Sequence, residues 1–159
     1  MFKVESVNFL FYLFLAFFLN GCAIHLPSQP SMPLVPSLEV DKASAAFKKA
    51  AASAPGSTEA EQARIEYLLE RIGDSPYNFI RNGSRYNWKH AAIHLRWKYL
   101  RNQKQIKNAE DFIDRIATRS KISGEQYWVI LPDKSRRPLR EFLIHELYLL
   151  DQAVRQPGP

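Results

Sequence analysis

From residue 58 onward the apolar positions alternate between helical and strand rhythms. Thr58 with Glu61 forms a capping-box pattern, and Ile65, Leu68, Leu69 and Ile72 follow at the spacing of one helix face, with Gly73 as the stop. Ser75-Pro76 breaks the chain before Tyr77-Asn78-Phe79-Ile80, a short predicted strand. Arg81-Asn82-Gly83-Ser84 predicts a turn, because an Asn-Gly pair tolerates positive φ. Asn87 caps a second helix running to about Gln103, with Trp88, Ala91, Ala92, Leu95 and Tyr99 on its core face. Ile93, Trp97 and Leu100 lie opposite that face. The expectation is that another helix covers them; the alternative is an exposed docking patch. Asn108, with Asp111, caps a third helix carrying Phe112, Ile113 and Ile116. Ser123-Gly124 turns the chain into Tyr127-Trp128-Val129-Ile130-Leu131, the clearest strand signal. Pro138 opens a last helix with Leu139, Phe142, Leu143, Leu147 and Leu150 on one side. The predicted order is α-β-α-α-β-α. This is an α+β domain over residues 58–154, mostly helical, with about four helices packed around a minimal two-stranded β-sheet. Residues 155–159 read as a disordered tail.

Ahead of residue 58 the rhythm is different. Residues 7–19 are apolar except for Asn8, and six of the ten phenylalanines lie in the first 18 residues. As a helix this run is roughly 20 Å long, short of the ~30 Å hydrocarbon core of a bilayer but normal for a signal-peptide apolar region. Leu19-Asn20-Gly21-Cys22 follows and resembles a bacterial lipobox, with Asn20 departing from the usual small residue. The resemblance implies a signal peptide over residues 1–21, acylation of Cys22 by diacylglyceryl and palmitate chains, and cleavage that leaves Cys22 first. Ala23, where an Asp would mark inner-membrane retention, implies the outer membrane of a bacterial envelope, facing the periplasm. Two or three acyl chains hold a protein to a bilayer where one alone is marginal. Residues 23–57 then hold five prolines and six serines. Pro27, Pro30, Pro33 and Pro36 recur every third residue and favour extended segments. Residues 22–57 therefore read as a lipidated tether. A short helix behind Asp41 is expected, but Phe47 is its only large apolar group and little anchors it.

Composition narrows the classes. Apolar residues make up 46% of the chain, too many for a wholly disordered protein. A single cysteine excludes an internal disulfide and a Cys-pair zinc site. The net charge is +6, and residues 81–107 carry eight Lys/Arg with no Asp or Glu. Lys134, Arg136, Arg137 and Arg140 form a second basic cluster, while Glu59, Glu61, Glu66, Glu70 and Asp74 gather on the first helix and its end. Two accounts follow: acidic and basic helices neutralise each other, or a basic face meets anionic lipid headgroups or an acidic envelope protein. No nucleic-acid recognition module is present, so no nucleic-acid partner is expected.

Phe79-Ile80-Arg81-Asn82-Gly83, Tyr86, Ala92, His94-Leu95-Arg96, Lys98, Ala109-Glu110, Phe112-Ile113, Ser120, Ser123-Gly124, Tyr127 and Val129 resemble the YfeK-like family. These are small exported proteobacterial proteins with a domain of unknown function. The likeness covers roughly residues 59–151, and the lipobox and tether go beyond its pattern. It implies an envelope location and a similar fold, and carries no activity with it.

The polar residues of those blocks supply the candidate chemistry. Arg81, Asn82, Tyr86, His94, Lys98, Ser123 and Tyr127 are candidate ligand-binding residues, since His, Lys, Arg and Tyr together suit a carboxylate or phosphate. The competing account has them closing hydrogen bonds between helices and loops. There Asn82 holds its turn, Glu110 sits near a helix N-terminus and Ser123 braces its bend. A serine hydrolase would need His94 beside Ser120 or Ser123 with Glu110 as orienter, and no nucleophile-elbow pattern supports it. His90 and His94 are spaced to share a metal, but no third ligand is evident. The expectation is a non-enzymatic partner-binding or scaffolding domain of the envelope, needing no metal or cofactor. A small-anion binding module using His94, Lys98, Arg81 and Tyr127 is the alternative, and a hydrolase comes third.

Overall fold

The computed structural model describes residues 39–156. The expected signal peptide, Cys22 and the proline-rich part of the expected tether lie outside the described residues. Within them the fold is α+β, with five α-helices and one four-stranded antiparallel sheet. The helices are α1 (Ala45–Ala52), α2 (Thr58–Gly73), α3 (Trp88–Asn102), α4 (Ala109–Phe112) and α5 (Leu139–Arg155). A π-helical turn, Ile113–Ala117, continues α4. The strands are β1 (Asn78–Arg81), β2 (Ser84–Asn87), β3 (Trp128–Ile130) and β4 (Arg136–Pro138), ordered β2-β1-β3-β4. No helix among the described residues is long and apolar enough to cross a membrane.

The predicted two-stranded sheet is thus corrected to four strands, and the four helices to five. Both missed strands are edges. β2 returns from β1 through the two-residue turn Asn82-Gly83, both residues at positive φ, which is the geometry a tight hairpin needs. Its Ser-Arg-Tyr-Asn sequence has no apolar alternation to announce it. β4 pairs with β3 through Val129↔Arg137 and ends in Pro138, which has no N–H to donate and is tolerated at a sheet edge. Charge and proline on outer strands also discourage pairing with foreign chains.

Residue pairing puts Tyr86, Phe79, Val129 and Arg137 in one row across the sheet. Phe79 and Val129 from that row enter the core with Leu68, Ile72, Leu95, Tyr99, Phe112, Ile116, Phe142 and Leu150. The helical rhythms seen in the sequence therefore mark true core faces. The caps at Asn87 and Asn108 form as expected, their side chains accepting from the His90 and Asp111 amides at 3.0 and 2.8 Å. The first cap differs. Ser57, not Thr58, accepts from the Ala60 amide at 3.1 Å. Glu61 instead reaches the Ala109 amide at 3.0 Å, joining α2 to the start of α4.

The helix expected behind Asp41 forms as α1, but its anchoring was underestimated. Ala46, Phe47 and Ala50 are buried, and Phe47 packs at 6.4 Å from the Tyr67 ring. Two alanines and one aromatic suffice because α1 covers an aromatic neighbour. The packed unit therefore begins before residue 58, and Arg155, assigned to the tail, closes α5. One ion pair is deep in the core: Arg71 Nε donates to Glu146 Oε2 at 2.8 Å, with Glu146 1% exposed. Burial pushes the Glu146 carboxyl up, and Arg71 pulls it partly back.

Candidate functional site

The predicted residues of the hairpin, α3 and the 119–127 loop do come together. α3 crosses beside the β1–β2 hairpin and leaves a groove of about 740 Å³. Phe79, Ala91, Leu95 and Leu139 give it an apolar lining, Ile93, Trp97 and Ile122 stand along it, and Arg81, Tyr86, His90, His94 and Tyr127 add polarity. The volume lies within the ~300–1,000 Å³ usual for small-molecule sites.

Each polar group has a distinct setting. Arg81 ends β1, and its guanidinium lies 5.4 Å from the Tyr86 ring centre. No carboxylate among the described residues pairs with it. His94 lies between Trp97 and Tyr127, with ring centres 6.4 Å away on each side. Its Nε2 is buried and has no hydrogen-bond partner. Burial first, then Arg81 and Lys98, hold its pKa below the usual histidine value and favour the neutral ring.

Lys98 does not join this open set. The helical turn that places it next to His94 points its ammonium inward, where it donates to the carbonyls of Ile116 and Arg119 and to the Tyr127 hydroxyl. It therefore closes the C-terminal end of the α4 and π-helical segment. Burial, with Lys121 and Arg81 nearby, pushes its pKa down to about 8. Lys98, a candidate ligand-binding residue, thus makes hydrogen bonds of the kind the competing structural account describes. Asn82 and Ser123 stand at the groove's edge: the Ser123 hydroxyl donates to Asn82 Oδ1 at 2.9 Å and ties the hairpin to the loop. Ser123 Oγ also accepts from the Glu125 amide at 3.3 Å, within its own bend.

The hydrolase arrangement is not assembled. Glu110 pairs with Arg64 at 3.0 Å, and His94 Nε2 bonds to neither Ser120 nor Ser123. No group of three His, Cys, Asp or Glu among the described residues is placed to hold a metal.

The outer face of α3 overturns another expectation. No described residue covers it: Ile93, Trp97 and Leu100 are 65%, 54% and 57% exposed. Their helical spacing announced a second apolar stripe but not whether it is covered. Ile122, 99% exposed, joins this surface from the loop. As one apolar residue in a polar loop it gave no sequence signal. Leu139 also reaches the groove because its amide bonds to the Tyr127 carbonyl at 2.9 Å, a long-range contact.

A fold built on a lone antiparallel sheet layer, with polar family residues clustered at one groove, defines a small α+β domain class without an established activity. The chain belongs to it: the family of unknown function DUF5329 matches residues 59–151. A curated relative is the uncharacterized protein YfeK of Salmonella typhimurium strain LT2, 38% identical over 68 residues. That match covers 42% of this chain and 57% of the relative, so it spans little more than half of the relative's length. The YfeK-like resemblance is therefore shown. No solved structure matches the chain.

Proposed function

We propose that this protein is a non-enzymatic binding module of the bacterial cell envelope. A lipid anchor on Cys22 holds it at the membrane, on the outer-membrane side facing the periplasm, and the α3 groove is its working surface. The observation that carries this reading is the uncovered stripe of Ile93, Trp97 and Leu100, continued by Ile122 and opening into a groove. Such contiguous exposed apolar surface marks interaction sites on folded proteins. Tryptophan and arginine, enriched where binding energy concentrates, stand together here, with Arg101 4.7 Å from the Trp97 ring centre. Chemistry has less support, since the Ser120 and Ser123 hydroxyls accept from loop amides and no carboxylate among the described residues bonds to His94 Nε2.

The test is site-specific photocrosslinking in intact cells. A crosslinker at Ile122 or Ile93 should trap a discrete envelope component, while one at the exposed Tyr148 on α5 should not. Loss of the adduct in Cys22→Ser would tie binding to anchoring. Equal labelling at all three positions would overturn the reading. Mass spectrometry of the purified protein checks the anchor separately: an unmodified thiol at Cys22 removes it.

A further inference from the structure

From the same groove we infer a ligand class: a single-chain amphiphilic anion, with a carboxylate or phosphate head against Arg81 and His94 and a hydrocarbon tail along Phe79, Leu95, Leu139 and Trp97. This rests on the groove being the working surface and not on the lipid anchor.

Three independent observations converge on that chemistry. The first is an unmatched cation. Arg81 has no counter-charge among the described residues, and its guanidinium lies against the Tyr86 ring. Stacking on a ring leaves the planar fork of N–H donors available to grip two anion oxygens. The second is an orphan polar atom. His94 Nε2 is buried without a partner. Buried polar groups in folded proteins are almost always hydrogen-bonded, so an orphan in a cleft calls for an explanation such as a ligand atom. A neutral imidazole tautomer with its proton on Nε2 donates to an anion oxygen. The third is the lining. Phe79, Leu95 and Leu139 are buried core residues that also face the groove. They give an apolar bed, with Trp97 and Ile122 standing at its sides.

The surroundings fit the same class. Residues 81–107 carry no acidic side chain, so nothing on α3 or the hairpin repels an anion. Lys98 and Lys121 add positive potential at the polar end. A purely inorganic anion would leave the apolar bed unused, and a neutral lipid would leave Arg81 and His94 unmatched. A flat bilayer would contact the outer stripe of α3 but not the floor of the groove.

Dodecanoate and dodecyl phosphate are the probes, titrated below their critical micelle concentrations. Residues 22–159 with Cys22→Ser supply the protein, since they include every described residue and hence the whole core. Binding is read by calorimetry, with Trp97→Phe used to assign any change in tryptophan fluorescence. Both probes should bind one to one, and dodecanol and inorganic phosphate should bind at least tenfold more weakly. Lengthening the tail from decanoate to dodecanoate should tighten binding about fifteenfold, since each of the two added methylenes is worth about fourfold in affinity when buried. Arg81→Gln should weaken both anions at least tenfold at unchanged melting temperature, and His94→Leu should weaken them without affecting dodecanol.

Equal affinity for dodecanol and dodecanoate would overturn the inference, as would an Arg81→Gln variant that binds like wild type. So would binding to anionic phospholipid vesicles, or to an acidic peptide, with none to the single-chain probes. Crosslinking at Ile122 that succeeds while dodecanoate fails leaves the binding-module reading standing and removes this one. The converse result leaves the ligand class and removes the envelope partner.

Discussion

Arg64 and Arg81 are both partly buried, and their surroundings are opposite. Arg64 on α2 meets Glu61, Glu110 and Asp151 at 2.8–3.0 Å, so three helices converge on one guanidinium. Burial opposes its charge, but the bond to Asp151 and the fields of all three carboxylates hold it protonated far above the physiological range. Arg81 on β1 has an aromatic ring beside it and no carboxylate. One end of the molecule has resolved its electrostatics internally and the other has not. A cation matched within the fold is committed to holding elements together. A cation left unmatched beside an apolar groove retains its capacity for something outside the chain.

The sharpest way to break that comparison is to remove a matched cation. Arg71→Ala leaves Glu146 buried and unpaired and should cost about 3–5 kcal/mol in urea unfolding. Arg71→Met with Glu146→Leu should recover most of that loss, because two apolar groups need no mutual charge. If Arg71→Ala unfolds at the wild-type midpoint, the pair does not stabilise the core. Arg64→Met comes next. It leaves three carboxylates facing one another at a partly solvated site and should cost about 1–2 kcal/mol.

A pH titration probes the boundary between the two regions at Lys98. Its folded pKa, about 8, lies below the ordinary 10.5, so between these values the folded chain binds fewer protons than the unfolded one. Stability must then rise with pH across that window. Wild type should gain on Lys98→Met from about pH 8 toward 10.5, measured as the difference between their unfolding free energies; parallel curves would show that Lys98 is not held as described. The smallest effect is expected in the groove. Arg81→Gln and Ile122→Ser should each change stability by less than about 0.5 kcal/mol, since neither breaks an ion pair or opens the core. A loss as large as that of Arg64→Met would mean the groove is structural and the contrast false.

Much of the architecture could be read from periodicity. The faces of α2, α3 and α5, the caps at Asn87 and Asn108, and the strand around Val129 follow from local patterns, because burying one face imposes a rhythm on the chain. What stayed hidden is decided at long range. β2 and β4 are polar edges whose pairing partners, and not their own side chains, make them strands. α1 depends on Tyr67 being there to receive Phe47. For the site, residue type pointed to Arg81, Tyr86, His94 and Tyr127, and all four line one groove. For Lys98 the helical spacing left two roles open, because its neighbour in the helix is a groove residue while its own hydrogen bonds go to the carbonyls of Ile116 and Arg119. The exposure of Trp97 was unreadable, since a second apolar stripe looks the same whether covered or bare.

Asn87 is both the last residue of β2 and the cap of α3, and Pro138 is both the last residue of β4 and the cap of α5. Neither junction has an intervening loop. Swinging α3 away from the hairpin would therefore require unzipping Asn78↔Asn87 at the sheet margin. The cleft is in that sense hinge-free: its walls are set when the chain folds, so the proposed ligand would need no domain opening to reach it. Little reorganisation then separates the vacant and filled forms, so capture should follow simple one-step kinetics, with residence time rather than gating setting the affinity.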